Sequence, residues 1–141
     1  MIVRAPKFYL FDVGVAGAVV KRSVTEARGE AFGRAFEHFI LMEIAAYRGY
    51  EEKAFPIEYW RTKSGLEVDF ILGKGEVAVE VKGTSRVDNS DLRSIRAFQE
   101  QYRPRKAVVV SNERAARVSG ELVVLPWREF LKQLWSGKII S

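Results

Sequence analysis

Apolar and polar residues recur with two different periods along this chain. Over residues 30–47 the apolar positions return every third or fourth residue, with Phe32, Phe36, Phe39, Ile40, Ile44 and Tyr47 on one stripe. That spacing predicts a helix, and Gly49 supplies a stop. Residues 66–72 and 77–82 alternate every second position instead, as strands with one apolar face do. In the first run Val68, Phe70 and Leu72 take one face and Glu67, Asp69 and Ile71 the other. In the second, Val77, Val79 and Val81 oppose Ala78, Glu80 and Lys82.

The linking residues Gly73, Lys74, Gly75 and Glu76 predict a tight hairpin, because glycine reaches the positive φ angles that two-residue turns need. With Lys74 and Gly75 at its centre, Asp69 falls opposite Glu80 and Glu67 opposite Lys82. Like charges directly across a strand pair repel. A divalent cation bridging the two carboxylates offsets that repulsion, and hard ions such as magnesium or manganese prefer carboxylate oxygen. The plainer alternative is a pair of solvated carboxylates, with Glu67 and Lys82 as a cross-strand ion pair.

A third carboxylate, Glu37, lies one turn from Gly33, Ile40 and Leu41, at the edge of the helix's apolar stripe. A charge there is partly desolvated unless it is paired or metal-bound, and Gly33 leaves room for a ligand or another backbone. The alternative is that Glu37 reaches water or pairs with Arg34 or a partner strand.

Further elements follow in order. Residues 7–11 are expected to be extended and to turn at Asp12–Gly14 into an apolar run at 15–20. A strand is expected near residues 55–61. Asp88 or Ser90 caps a helix carrying Leu92, Ile95, Phe98 and Tyr102, which Pro104 ends. Residues 107–110 and 122–125 read as strands, and Pro126 opens a last helix with Phe130, Leu131, Leu134 and Trp135 inward. This succession predicts a single α/β domain over residues 1–141, with a mixed central sheet built from an antiparallel three-strand meander plus further strands and flanked by helices.

Together, Gly29-x7-Glu37 on a helix, Ser64-Gly-x-Glu-x-Asp69 and Glu80-Val-Lys82 resemble the PD-(D/E)XK nuclease superfamily. The version most similar is an uncharacterised domain at the C-terminal end of AAA+ ATPase-like proteins, and the likeness runs from about Lys7 to the final helix. The resemblance implies a restriction-endonuclease-like core in which Asp69, Glu80 and Glu37 hold Mg2+ or Mn2+ and Lys82 stands near the attacking water. Glu37, Asp69, Glu80 and Lys82 are thereby the expected catalytic set. Val68 stands where the superfamily's eponymous proline would be. Gln99 and Tyr102 are also similar to the helical Gln-x-x-Tyr of RecB-like members. By the same resemblance the chain is the C-terminal part of a longer protein, with an upstream ATPase domain as partner.

Composition narrows the chemistry. The 141 residues contain no cysteine and one histidine, His38, which excludes thiolate ligands and histidine clusters. His38 is expected on the helix surface. A net charge of +5 and a pI near 9.6 favour contact with an anion such as DNA. Arg61 and Lys63, flanking the turn before the Asp69 strand, are the expected phosphate contacts, with a solvated loop as the equal alternative. No apolar run reaches the roughly 20 residues of a membrane span and no cleavable signal opens the chain, so a cytoplasmic protein is expected. There is no Gly-x4-Gly-Lys-Ser/Thr loop to hydrolyse ATP.

The expected function is therefore that of a divalent-metal-dependent DNA nuclease-like domain. Its rival is a silent docking module for DNA or protein. Exposure of Trp60 or Trp135 would mark a surface covered by the upstream part or by a second copy in a homo-oligomer.

Overall fold

The computed structural model of the protein describes residues 2–4 and 30–141, so the segments expected at 7–20 lie outside the described residues. The elements are β1 (Ile2–Arg4), α1 (Glu30–Tyr50), β2 (Ile57–Arg61), β3 (Glu67–Leu72), β4 (Val77–Lys82), α2 (Arg93–Tyr102), β5 (Lys106–Ser111), β6 (Arg117–Ser119), β7 (Leu122–Pro126) and α3 (Trp127–Trp135). The described strands form one mixed sheet in the order β1-β2-β3-β4-β5-β7-β6. The meander β2-β3-β4 is antiparallel, whereas β4, β5 and β7 run parallel.

Parallel strands covered on both faces lose the alternating pattern and become continuously apolar. That is why Ala107, Val108, Val109 and Val110 in β5 are all buried. One face carries α1 and α3 over Phe70, Leu72, Val77, Val79, Val108 and Val110. The other carries α2, whose Ile95 and Phe98 pack on Trp60, Val68, Ile71, Ala78 and Val109.

The β3–β4 turn is the one the glycines require. Gly73, Lys74 and Gly75 have φ of 69°, 60° and 91°, all positive, the left-handed conformations that glycine reaches most readily. Phe70, Ile71 and Leu72 accordingly pair with Val79, Ala78 and Val77. Continued by one step, that register puts Asp69 against Glu80.

Strict alternation fails at one place in β3. Glu58 pairs with Ile71 but Trp60 pairs with Val68, so Asp69 and Phe70 together stand opposite the single residue Tyr59. This is a β-bulge, which bends the strand and re-aims a side chain. Its effect is to turn Val68 to the α2 face, with Ile71, while Phe70 and Leu72 face α1. The expectation that Val68 shares a face with Phe70 and Leu72 is thereby corrected.

Helix ends also differ from the sequence reading. α1 runs through Gly49 to Tyr50 and closes with Glu52 left-handed at φ 53°, the Lys53 N–H reaching the Arg48 carbonyl at 2.8 Å and the Glu52 N–H the Gly49 carbonyl at 3.2 Å. That is a Schellman closure built on a glutamate. Asp88 and Ser90 do not cap α2, whose first flanking residue is Leu92, without a side-chain cap. Instead Asp88 Oδ1 accepts from Ser90 Oγ at 2.6 Å and from the Asp91 N–H at 3.1 Å, closing a separate turn upstream. In α3, Phe130 and Leu134 are buried, but Trp135 is 37 % exposed rather than inward.

Candidate active site

The bulge in β3 decides how the carboxylates meet. Where the β3–β4 ladder stops, side chains take over its hydrogen bonds. The Asp69 N–H donates to Glu80 Oε1 at 3.4 Å, and the Val81 N–H donates to Asp69 Oδ2 at 2.7 Å. Each carboxylate therefore latches the opposite strand, and the two acids are held side by side in the sheet. Glu80 is only 3 % exposed and Asp69 is partly buried.

Holding two acids together in a low-dielectric place favours retaining a proton between them. Burial, followed by the neighbouring Glu80 charge, pushes the Asp69 carboxyl well above the usual carboxylate range. Burial also raises Glu80, opposed by its hydrogen bond with Asp69 and by the Lys82 charge. The pair as a whole is thereby disposed to retain a proton. Both effects describe an electron-rich pocket that a proton or a hard cation relieves.

Two of the other expected residues act on this pair through charge. Lys82, partly buried two residues beyond Glu80, favours the ionised form of both acids. Glu37, reaching in from α1, raises Glu80 by like-charge repulsion. The residues named from sequence are therefore brought to one end of β4. The gathering is tightest for Asp69 and Glu80. Among the described residues no three histidine, cysteine or acidic side chains form a ready metal cage. The donor set that fits a hard cation is the Asp69–Glu80 oxygens, with Glu37 in reach of its field.

The remaining sequence candidates are placed differently. Glu67 pairs with Arg61 at 2.8 Å across the β2–β3 rung, in place of the Glu67–Lys82 ion pair that the plainer alternative held. Arg61 also lies 5.6 Å from the Tyr59 ring centroid, and Lys63 is exposed in the turn that follows β2. Gln99 Nε2 donates to the Glu121 carbonyl at 3.1 Å, and Tyr102 stacks on Phe98 at 4.7 Å. Both partners hold the α2 layer, not the carboxylates. His38 is 1 % exposed, which corrects its expected surface position. Trp60 is buried on the α2 face.

Two features that shape the site went unread in the sequence. A Cβ on Gly83, directly after Lys82, would lie 2.6 Å from Phe32 Cε1, so only glycine lets this ring sit against the end of β4. Phe32 packs in turn with Phe36 at 5.6 Å, and that contact docks the turn of α1 that leads into Glu37. The second is a brace between the loops after β4 and β5. Glu113 accepts from Arg117 at 2.9 and 3.0 Å and from the Val87 N–H at 2.7 Å, while Arg117 donates to the Val87 carbonyl at 2.9 Å. The Arg117 hydrogen bonds hold the Glu113 carboxyl below its ordinary range. Its only sequence trace is the four-residue spacing of two opposite charges.

Residues 32–130, well over half of the chain, match the family described as Domain of unknown function (DUF4143). The chain belongs to the DUF4143 family. The matched span runs from Phe32 in α1 to Phe130 at the start of α3, so it includes Glu37, Asp69, Glu80 and Lys82 together with the whole of α2. No curated protein and no solved structure matches the chain. Among the described residues of this DUF4143 member, no helix is long and apolar enough to cross a membrane.

Proposed function

We propose that this domain is a divalent-metal-dependent nuclease-like domain that hydrolyses phosphodiester bonds in DNA. The observation that carries the reading is the Asp69–Glu80 pair. Two acids are latched together at a bulge and raised in proton affinity, beside a lysine. A purely structural sheet gains nothing from like charges at that depth. The motif resemblance to PD-(D/E)XK nucleases, and to domains attached to AAA+ ATPase-like proteins, points the same way.

Asp69 and Glu80 would hold Mg2+ or Mn2+, with Glu37 as a further ligand or an anchor for water. Bound there, such a cation supplies Lewis-acid polarisation of a phosphate oxygen and a lowered water pKa. The chain's own groups account for the rest. In hydrolysis a water oxygen bonds to phosphorus, one P–O bond to the sugar breaks, and the departing oxygen takes the electron pair and then a proton. Negative charge on the phosphate grows along that path, and the Lys82 ammonium stabilises it. Its proposed role is electrostatic assistance to the reacting phosphate. The bulge fixes the Asp69 carboxylate through Val81 N–H, which limits reorganisation as charge develops.

Manganese titration by calorimetry on the wild type and Asp69→Ala, with cleavage of single- and double-stranded DNA in the same samples, tests the assignment. Metal binding and cutting that both vanish with Asp69 are expected. Manganese binding that Asp69→Ala leaves intact would remove the metal assignment. A docking module is favoured by a different observation: Tyr50 is 81 % exposed and packs edge-on at 6.0 Å against the exposed Trp135, an aromatic patch shared by α1 and α3. Metal binding without cutting supports that second reading.

A further inference from the structure

The parallel strands β4, β5 and β7 end level with one another. Lys82 is the register partner of Ser111, and Ser111 of Pro126. With roughly 4.8 Å between neighbouring strands, Pro126 is about 10 Å across the sheet from the candidate catalytic lysine. At that place the loop after β5 and the start of α3 enclose an open cleft of about 510 Å³, lined by Asn112, Arg114, Pro126, Trp127 and Arg128. In open α/β sheets, ligands bind outside the carboxyl ends of the strands, and this cleft lies there beside the carboxylate site.

The chemistry of its walls is specific. Arg114 and Arg128 are exposed, and among the described residues neither is in an ion pair. The two acids that also border the cleft are engaged elsewhere: Glu113 with Arg117, and Glu129 as acceptor of Gln133 Nε2 at 3.1 Å. Arg128 lies 4.7 Å over the partly exposed Trp127 ring, a guanidinium stacked on an indole. Trp127 is itself held edge-on by Phe39 at 5.7 Å, two residues beyond Glu37 on α1. An exposed arginine, a second arginine whose guanidinium covers one face of the indole, and an anchored ring are what a single-stranded polynucleotide uses, phosphates on the arginines and an unstacked base against the ring. A duplex keeps its bases stacked inside and offers the plate nothing.

We propose that this cleft is the subsite for an unpaired polynucleotide strand, with Arg114 and Arg128 on successive phosphates and Trp127 as the stacking platform, feeding the strand past Lys82. The proposal rests on the nuclease reading for its purpose, but strand binding here is independent of cleavage. It extends that reading by naming the substrate as single-stranded at the site.

The test is fluorescence anisotropy with a labelled 15-nucleotide oligothymidylate in EDTA, comparing wild type, Arg114→Ala, Arg128→Ala and Trp127→Leu over a salt series. Each arginine variant is expected to bind more weakly and to lower the slope of log affinity against log salt by about 0.7. Trp127→Leu should weaken binding by roughly tenfold. A matched duplex should compete poorly. Unchanged affinity and slope in both arginine variants, with thermal unfolding also unchanged, overturns the subsite. Equal competition by duplex overturns its preference for an unpaired strand. Binding is read in EDTA and cutting separately in manganese, so arginine-dependent binding with no cutting in manganese sustains the subsite while ending the nuclease reading. Asp69-dependent cutting with wild-type binding in the arginine variants does the reverse.

Discussion

Asp69 donates its own N–H to Glu80 Oε1 at 3.4 Å, while its carboxylate accepts the N–H of Val81, the residue after Glu80, at 2.7 Å. The two acids thus replace a rung of the sheet, and their ionisation is tied to the fold. Asp69 has a folded pKa raised by burial and by Glu80. A raised carboxyl favours the folded state at low pH, where it is protonated in both states. That advantage fades as pH rises from the unfolded value through the folded one. In chelator, the stability of the wild type should therefore fall as pH climbs out of the ordinary carboxylate range. Asp69→Asn keeps the acceptor for Val81 and removes the charge, so it should melt higher than wild type at neutral pH and lose that lead on acidification. Melting curves across pH 3–8 check this. A gap that stays constant with pH would contradict the raised carboxyl.

Metal addition should act on the same pair in the opposite sense. A cation that binds only the folded chain stabilises it by about 2.7 kcal/mol at a hundredfold excess over its dissociation constant. For a domain of this size that corresponds to a melting shift on the order of 10 °C. Manganese should raise the melting temperature of the wild type at neutral pH, and Glu80→Gln should abolish the rise. Differential scanning fluorimetry with a manganese series reads it directly.

How far these features could be read from the sequence depended on the range of the interaction. Lys74 and Gly75 fixed the hairpin locally, and with it the register that sets Asp69 against Glu80. The apolar spacing around Phe36 and Ile40, and around Ile95 and Phe98, gave α1 and α2 their inward faces. The bulge is not legible in the sequence because it arises between strands. Nothing in Val68-Asp69-Phe70 says that Tyr59 will face two residues at once. The Phe32–Gly83 contact joins residues far apart in sequence, and an isolated glycine after a strand reads as a mere turn. The buried position of His38 also depends on neighbours that a helical stripe does not reveal.

The close approach at Gly83 carries a prediction of its own. An added methyl would meet Phe32 Cε1 at 2.6 Å, and the buried ring has to move to admit it. Gly83→Ala should destabilise the fold by about 1–3 kcal/mol through overpacking. Phe32→Leu in the same chain should return part of that loss, so the two effects are not additive. Urea unfolding of the four members of the cycle measures the coupling, and strict additivity would show that the contact does not limit the site.

Lys82 separates charge stabilisation from metal binding. Its ammonium lowers the proton affinity of both Asp69 and Glu80. With Lys82→Met the pair should hold its proton to higher pH, since the opposing charge is gone. The manganese-dependent melting shift should then persist but require more alkaline conditions to reach its full size. Cleavage should suffer more, with kcat reduced by about 10²–10³-fold at saturating metal, as expected when a preorganised cation is withdrawn from the developing phosphate charge. Single-turnover cutting and melting shifts measured side by side from pH 6 to 9 distinguish the two roles. If raising the pH restores cutting in step with the melting shift, Lys82 acts only on the metal ligands. If cutting stays low while the shift recovers, its charge acts on the reacting phosphate.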